Sequence, residues 1–340
     1  MIKLAIDAMG GDFAPEITVK GAMDAVQEFP DLELVLYGDE AKIKTYLTNS
    51  ERITIVHAPR MIEMGEKDPI GEIRRNRDTS MVMAFNAVKE KEVDGVVTAG
   101  PTQGAIVAAH LVIRRIKGMK RVAICPNVPS FKKSGAIILD VGANTSIDPE
   151  HLLQFAQFAN IYVKEVKGIE NPIIYLLNIG TEPGKGRELE KETYALLQAS
   201  GLNFKGNLEP KELLMSDADI ILTDGYTGNI AMKTFEGTAK AFGHALKEEI
   251  GSSFFGKIGY LFMRKNLNRF KARFSADEVG GATLFGVDGV VIKAHGASSA
   301  YAFKNAIRLA RRMVAGKVID KMRGYLQEHP IERSDESDQS

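Results

Sequence analysis

Ile173-Ile174-Tyr175-Leu176-Leu177 runs directly into Asn178-Ile179-Gly180-Thr181-Glu182-Pro183-Gly184-Lys185-Gly186. The first five residues are apolar on both faces of an extended chain. A strand covered by helices on both sides needs that pattern, whereas a half-exposed antiparallel strand would alternate. The polar, glycine-rich run is a turn, and an amphipathic stretch over 186–200 follows it. The same unit recurs along the chain. Strands are expected at 2–6, 32–37, 52–56, 94–98, 121–125, 135–140, 172–179, 219–223 and 288–293. Amphipathic helices such as 15–29, 75–91, 104–117, 149–167, 186–200 and 228–250 lie between them. Strand and helix alternating this often predict an α/β fold with a mostly parallel sheet and right-handed crossovers.

The chain has 340 residues, with 44 basic and 44 acidic side chains. A balanced charge argues against a wholesale nucleic-acid binder. With no internal repeat and no Pro- or Ser-rich linker, residues 1–330 are expected to form a single large α/β unit. One helical excursion is expected over 251–276, which has no acidic residue, and 331–340 read as a frayed polar tail. The lone cysteine, Cys125, forbids an intramolecular disulfide and a multi-thiolate zinc site. It sits in an apolar run, as a buried structural thiol does. The amino terminus has no signal-peptide pattern and no apolar run reaches the ~18 residues that cross a bilayer, so the expected compartment is the cytoplasm.

In an open parallel sheet, ligands bind beyond the carboxyl ends of the strands. Here those ends carry Asp7-Ala8-Met9-Gly10-Gly11-Asp12, Thr98-Ala99-Gly100, Asp140-Val141-Gly142-Ala143-Asn144, the 178–186 run, Thr223-Asp224-Gly225-Tyr226-Thr227-Gly228-Asn229 and Lys293-Ala294-His295-Gly296. Each has a plain structural reading, since Gly turns a chain and Asp, Asn and Thr cap the next helix. Six together suggest one shared rim of backbone N–H groups at helix starts, which attracts anions. The 180–186 loop lacks the spacing and the hydroxyl of a Walker A loop, and no G-x-G-x-x-G occurs, so a small anion such as free phosphate fits better than a nucleotide. The six histidines show no metal-ligand spacing, and no metal or cofactor is implied. Gly296-Ala297-Ser298-Ser299-Ala300 departs from a nucleophile elbow, so a helix N-cap is the expected role for either serine.

In this order, Asp-Ala-Met-Gly-Gly-Asp at 7–12, Leu-Asp-Val-Gly-Ala-Asn at 139–144, Asn-Ile-Gly-Thr-Glu at 178–182, Thr-Asp-Gly-Tyr-Thr-Gly-Asn at 223–229 and Val-Ile-Lys-Ala-His-Gly at 291–296 resemble the PlsX family of bacterial acyl-ACP:phosphate acyltransferases, over roughly residues 1–315. Where that family usually reads Ser-Ala-Gly-Asn-Thr-Gly-Ala, this chain has Thr98-Ala99-Gly100-Pro101-Thr102-Gln103-Gly104-Ala105, one residue longer and without the asparagine. The resemblance implies a Rossmann-like α/β/α fold akin to isocitrate dehydrogenases and phosphotransacetylases, and a homodimer. It also implies the conversion of fatty acyl-ACP and inorganic phosphate into acyl phosphate and free acyl carrier protein (ACP), feeding a membrane glycerol-3-phosphate acyltransferase. An acyl-CoA-using phosphotransacetylase-like enzyme and a non-catalytic lipid-linked regulator are the competing readings.

For such a reaction Lys185 is the candidate to hold phosphate, with hydrogen bonds from Asn229 and Thr227 at a helix start. His295 is the candidate to protonate the leaving thiolate or to donate to the oxyanion. Gly10, Gly11, Gly100, Asn144, Asn178, Gly180, Thr181, Gly186, Gly228, Lys293 and Gly296 complete the expected binding set; Asp7 and Asp224 are expected to orient loops and lysines. Over 252–274, Phe254, Ile258, Leu261 and Phe262 fall on one helical face, with Phe255, Phe270 and Phe274 beside it. Lys257, Arg264, Lys265, Arg269, Lys271 and Arg273 are interleaved, which suits an anionic membrane surface or acidic ACP. Arg74, Arg75 and Arg77 either meet ACP or are simply solvated.

Overall fold

A computed structural model describes residues 1–131, 135–273, 278 and 280–329. The 331–340 tail, Phe274 and the side chains of Lys271 and Arg273 lie outside the described residues. The strands are β1 (Ile2–Asp7), β2 (Leu32–Gly38), β3 (Ile53–His57), β4 (Gly95–Thr98), β5 (Ala123–Cys125), β6 (Asn127–Val128), β7 (Ala136–Leu139), β8 (Ile174–Leu177), β9 (Phe204–Leu208), β10 (Ile220–Leu222), β11 (Ala282–Phe285) and β12 (Val290–Lys293). The α-helices are α1 (Glu16–Glu28), α2 (Glu40–Tyr46), α3 (Pro69–Arg75), α4 (Ser80–Lys89), α5 (Thr102–Ala108), α6 (Pro149–Tyr162), α7 (Glu188–Ala199), α8 (Gly225–Gly251), α9 (Phe254–Arg273), α10 (Ala300–Ala315) and α11 (Val318–Glu328).

The α/β expectation holds, with one difference in layout. Instead of one ladder the strands form two, ordered β3-β2-β1-β4-β12-β11-β5 and β6-β7-β10-β8-β9. β1, β2, β3, β4 and β12 are mutually parallel, as are β7, β8, β9 and β10. Central strands are sealed on both faces: Leu4, Ala5, Ile6, Ile220, Ile221 and Leu222 have no exposed surface. One apolar core runs through both ladders and is closed by Phe158 stacked on Phe285 at 4.5 Å between ring centres.

Three strands escape the periodicity reading. β9 is an edge strand reading Phe-Lys-Gly-Asn-Leu, and one face of it is free to be polar. β6 is only two residues long. β11 is a four-residue hairpin partner of β12 in antiparallel register. The helix expected over 75–91 begins later, as α4 at Ser80, because α3 ends at Arg75 and the Thr79 hydroxyl caps the new helix by accepting from Val82 N. Asp39, Asp68, Asp224 and Ser299 likewise cap α2, α3, α8 and α10, the structural role that turn chemistry predicts. Ser299 is thereby occupied as an N-cap.

The excursion is larger than its expected 251–276 bounds. Beyond Gly228, α8 is not buried anywhere, and α9 turns back along it as the second arm of a hairpin. Cys125 is buried and unpaired, and desolvation pushes its thiol well above the ordinary value.

Candidate active site

Three parallel strands deliver one group of residues. Asp7 ends β1, Thr98 ends β4 and Lys293 ends β12. The Asp7 carboxylate is 1 % exposed and accepts from Ser80 Oγ at 2.6 Å and Thr98 Oγ1 at 2.7 Å. Burial raises its pKa despite these bonds and those from the Met9 and Gly10 amides. Lys293, 7 % exposed, sends Nζ to Ala99 O at 3.5 Å and to Ala294 O. Desolvation lowers its pKa to about 8, against the opposing fields of Asp7 and Asp12. An ammonium has three protons, and the two carbonyls engage two of them.

The turns around this lysine pack backbone against backbone. A Cβ on Gly10 would lie 2.5 Å from Asp7 Oδ2 and 2.7 Å from Gly100 N, so no side chain fits there. Asp12 N donates to Gly296 O at 2.9 Å, tying the first loop to the last. His295 is exposed, and its Nδ1 accepts from Ala297 N at 3.1 Å. That bond leaves Nε2–H as the ring's outward donor.

The second group lies at the ends of β7, β8 and β10. Asp140 accepts from the amides of Ile124, Ala143 and Asn144 and from the Asn144 side chain, which shapes the 140–144 turn. Asp224 caps α8 through Thr227 N at 2.9 Å, holds Thr227 Oγ1 at 2.7 Å and is ion-paired with Arg187. Burial pushes the Asp224 carboxyl up, but the Thr227 and Arg187 bonds outweigh it and hold the pKa below the usual range. Asn178 Nδ2 donates to Lys185 O at 3.0 Å and closes the 178–186 turn. A Cβ on Gly228 would lie 2.0 Å from Asp140 O, so α8 docks onto the β7 turn only through glycine. Asn229 lies against Gly142; both it and Lys185 are exposed.

The expected single rim is therefore divided. β12 runs parallel to β4 and antiparallel to β11, and β11 is antiparallel to β5. β7 bonds to the β5 segment in the opposite sense: Ile138 N donates to Pro126 O and Val141 N to Ile124 O, each at 3.1 Å. β8 and β10 follow β7, so their carboxyl ends lie level with the amino end of β12. Along β12 alone, that separates the groups by roughly 10 Å, at about 3.3 Å per residue. Asp7, Gly10, Gly11, Gly100, Lys293, His295 and Gly296 belong to one end. Asn144, Asn178, Gly180, Thr181, Lys185, Gly186, Asp224, Thr227, Gly228 and Asn229 belong to the other.

The overall fold is shared with solved structures. A phosphotransacetylase from Streptococcus pyogenes superposes with a TM-score of 0.58 at 17% identity, covering 94% of each chain. A branched-chain phosphotransacylase from Enterococcus faecalis does so at 0.55 and 16%, covering 92% of this chain and all of the other. These likenesses establish the fold. Sequence goes further: residues 2–321 match the family described as fatty acid synthesis protein. The chain belongs to the PlsX family of fatty acid synthesis proteins. Curated relatives named phosphate acyltransferase are 54% identical in Acholeplasma laidlawii (96% of this chain, 98% of that one) and 48% identical in Staphylococcus aureus (93% and 95%). This membership carries an acyltransferase role in fatty acid and phospholipid synthesis.

Within the PlsX frame, the longer 98–105 loop leads from β4 into α5 beside the first group. Gly100 N donates to Thr98 Oγ1 at 3.0 Å, and Pro101 starts α5. Two contributors were not singled out from sequence: Ser80, whose hydroxyl reaches Asp7 from α4, and Arg187, which pairs with Asp224 from the residue after Gly186. A cation following a glycine turn is a usable signal; a serine 73 positions from its partner is not.

The α9 residues singled out from sequence are open to solvent. Phe254, Phe255, Leu261 and Phe262 are 73%, 82%, 69% and 84% exposed, and Ile258 is 37% exposed. No described helix is long and apolar enough to cross a membrane.

Proposed function

We propose that this PlsX-family chain transfers the acyl group of a fatty acyl-ACP to inorganic phosphate, releasing acyl phosphate and free ACP. The observation that carries this reading is Lys293, a buried ammonium set under the glycine turns of three strand ends. Phosphate is already a competent nucleophile near neutral pH, as its second ionisation lies close to that of a phosphate ester, about 6. A phosphate oxygen adds to the thioester carbonyl, the tetrahedral oxyanion collapses, the C–S bond breaks and the thiolate takes a proton. A proton donor works best when its pKa lies near the operating pH, and Lys293, at about 8, is close to that of a thiol. His295 Nε2–H and the turn amides are the oxyanion donors in this reading. No covalent enzyme intermediate is required.

Lys185 and Asn229 hold phosphate in the same reading. Because they lie at the far strand ends, the site is completed by a second copy of the chain in a homodimer, each site drawing Lys293 from one copy and Lys185 from the other. The exposed, basic and aromatic α9 is the proposed contact with an anionic membrane surface or ACP, where acyl phosphate passes to a membrane glycerol-3-phosphate acyltransferase. The setting is the cytoplasmic face of that membrane.

The test is an assay with purified protein, palmitoyl-ACP and phosphate, trapping acyl phosphate with hydroxylamine. Phosphate-dependent release of ACP is the expected result. Release without phosphate would indicate a thioesterase, and equal use of palmitoyl-CoA would favour the phosphotransacetylase-like reading. For α9, Ile258→Glu with Leu261→Glu is expected to abolish co-sedimentation with anionic liposomes; unchanged co-sedimentation would remove the membrane contact.

A further inference from the structure

A cavity of about 440 Å³ opens between α3, α5 and the 142–144 turn. That volume is within the range of small-molecule sites, about 300–1,000 Å³. Its apolar lining is Ile106 and Val107 from α5, Leu111 from the following turn and Val122 from the approach to β5, with His110 beside Leu111. Leu111 lies in a π-helical turn, Ala109–Ile113, which continues α5 and ends at Arg114 with φ +76°. Such turns cost backbone energy and recur at functional sites.

The charged part of the lining is cationic. Arg74, Lys120 and Arg121 line the cavity, and no carboxylate does so among the described residues. Arg115 also borders it, with its guanidinium bonded to the Lys120 carbonyl. Burial lowers the pKa of the neighbouring His151, and Arg121 and Lys120 lower it further against the opposing Asp148 and Glu150. Asn144, at the end of β7, forms part of the lining, so the cavity opens beside the group that holds Lys185 and Asn229.

We infer that this cavity seats a single-chain anionic amphiphile, the acyl phosphate itself, with its alkyl chain against Ile106, Val107 and Leu111 and its phosphate at Arg74, Lys120 and Arg121. The inference rests on the proposed acyl-to-phosphate transfer, and it gives that reaction a holding site for its product, beside the Lys185 and Asn229 group where phosphate is bound for attack. An apolar lining that also carries cations and no carboxylate matches a molecule that is a chain at one end and a phosphate at the other.

Alkyl phosphates are stable stand-ins for the acyl phosphate. The full-length protein, without ACP, is titrated calorimetrically with octyl, decyl and dodecyl phosphate below their micellar concentrations. Binding is expected to be saturable at one site per chain and to tighten about fourfold per buried methylene, the equivalent of ~0.8 kcal/mol. Val107→Trp, which fills the cavity, and Arg121→Glu are each expected to weaken dodecyl phosphate at least tenfold, with Ile258→Glu/Leu261→Glu as the control that leaves it unchanged. If Val107→Trp does not fold, Ile106→Gln at the half-buried neighbour serves instead. Wild-type affinity in the cavity variants, affinity independent of chain length, or loss confined to the α9 variant would each overturn the assignment. Equal binding of dodecyl maltoside would also overturn it, showing a site for apolar chains in general. These measurements need no turnover, so they can fail while the transfer reaction stands, and a protein without transferase activity can still pass them.

Discussion

The two strand-end groups use the same vocabulary of Gly, Asp, Asn, Thr and a cation, yet they differ in what surrounds the charge. At the β1, β4 and β12 ends the lysine is buried, its counter-charges are at a distance, and its neighbours are carbonyls and a hydroxyl-bonded Asp7. At the β7, β8 and β10 ends Arg187 is half-exposed and directly paired with Asp224, while Lys185 stands in solvent. A desolvated cation has its proton affinity tuned by the protein. A solvated one acts as a point charge that attracts an anion without being changed much itself. In the proposed transfer, the first group moves the proton and the second holds phosphate.

The sharpest way to break this comparison is to remove each cation in turn. Lys293→Ala is expected to lower kcat by roughly 100- to 1,000-fold, the scale for losing a transition-state donor. Lys185→Ala is expected to raise the KM for phosphate about tenfold with a smaller loss of kcat. The reverse pattern would exchange the roles. The two variants also test the composite site. In the proposed homodimer each alone is impaired, but co-expressed copies would give heterodimers with one intact site in two, which should recover about a quarter of wild-type activity. No recovery in confirmed heterodimers would confine each site to one chain.

The pH profile sharpens the same contrast. Lys293 must be protonated to donate, so kcat is expected to fall above pH 8 and to approach a tenfold loss per unit. Lys293→Arg, which cannot lose its proton in that range, should flatten the alkaline limb even if activity is low. A limb that persists unchanged in Lys293→Arg would assign it to another group. The stability sign is opposite to that of most lysines. The folded state has the lower pKa, so it binds fewer protons than the unfolded chain between about 8 and 10.5, and stability is expected to rise with pH across that window.

Much of this was legible from residues. Apolar runs such as Leu4-Ala5-Ile6, sealed on both faces, and Ile173–Leu177, where only Ile173 and Tyr175 keep some exposure, announce parallel strands, and the strand-end clusters mark where an open parallel sheet is expected to bind ligands. What the one-dimensional pattern does not carry is direction. Whether the β7 and β8 ends face the same way as the β1 ends is decided by the antiparallel pairing of Ile138 with Pro126 and Val141 with Ile124, which joins the ladders through two backbone bonds. Nothing in local composition encodes that. Edge strand β9 was missed for a related reason, because its Lys205 and Gly206 satisfy a strand that has only one neighbour. The α9 face was legible by helical spacing, but the exposure of nearly all of α8 depends on the chain leaving the body after Gly228, beyond what amphipathic periodicity shows.

The smallest effect tests the Arg187–Asp224 pair. Arg187 is 58% exposed on its side chain and Asp224 only 3%, so the pair spans the surface boundary and its attraction is partly screened. Asp224 also keeps its two bonds from Thr227, so Arg187→Ala is expected to cost only about 1 kcal/mol. The pH dependence identifies the cause. The folded pKa of Asp224 lies below its ordinary 3.8, so the stabilisation is full above that value and fades as pH falls through the folded pKa. The gap in unfolding midpoint between wild type and Arg187→Ala should therefore be constant from pH 7 to about pH 5 and narrow toward pH 3. A gap that holds to pH 3 would mean that Arg187 contributes by packing over the start of α7, and not by charge on its carboxylate partners Asp224 and Glu190.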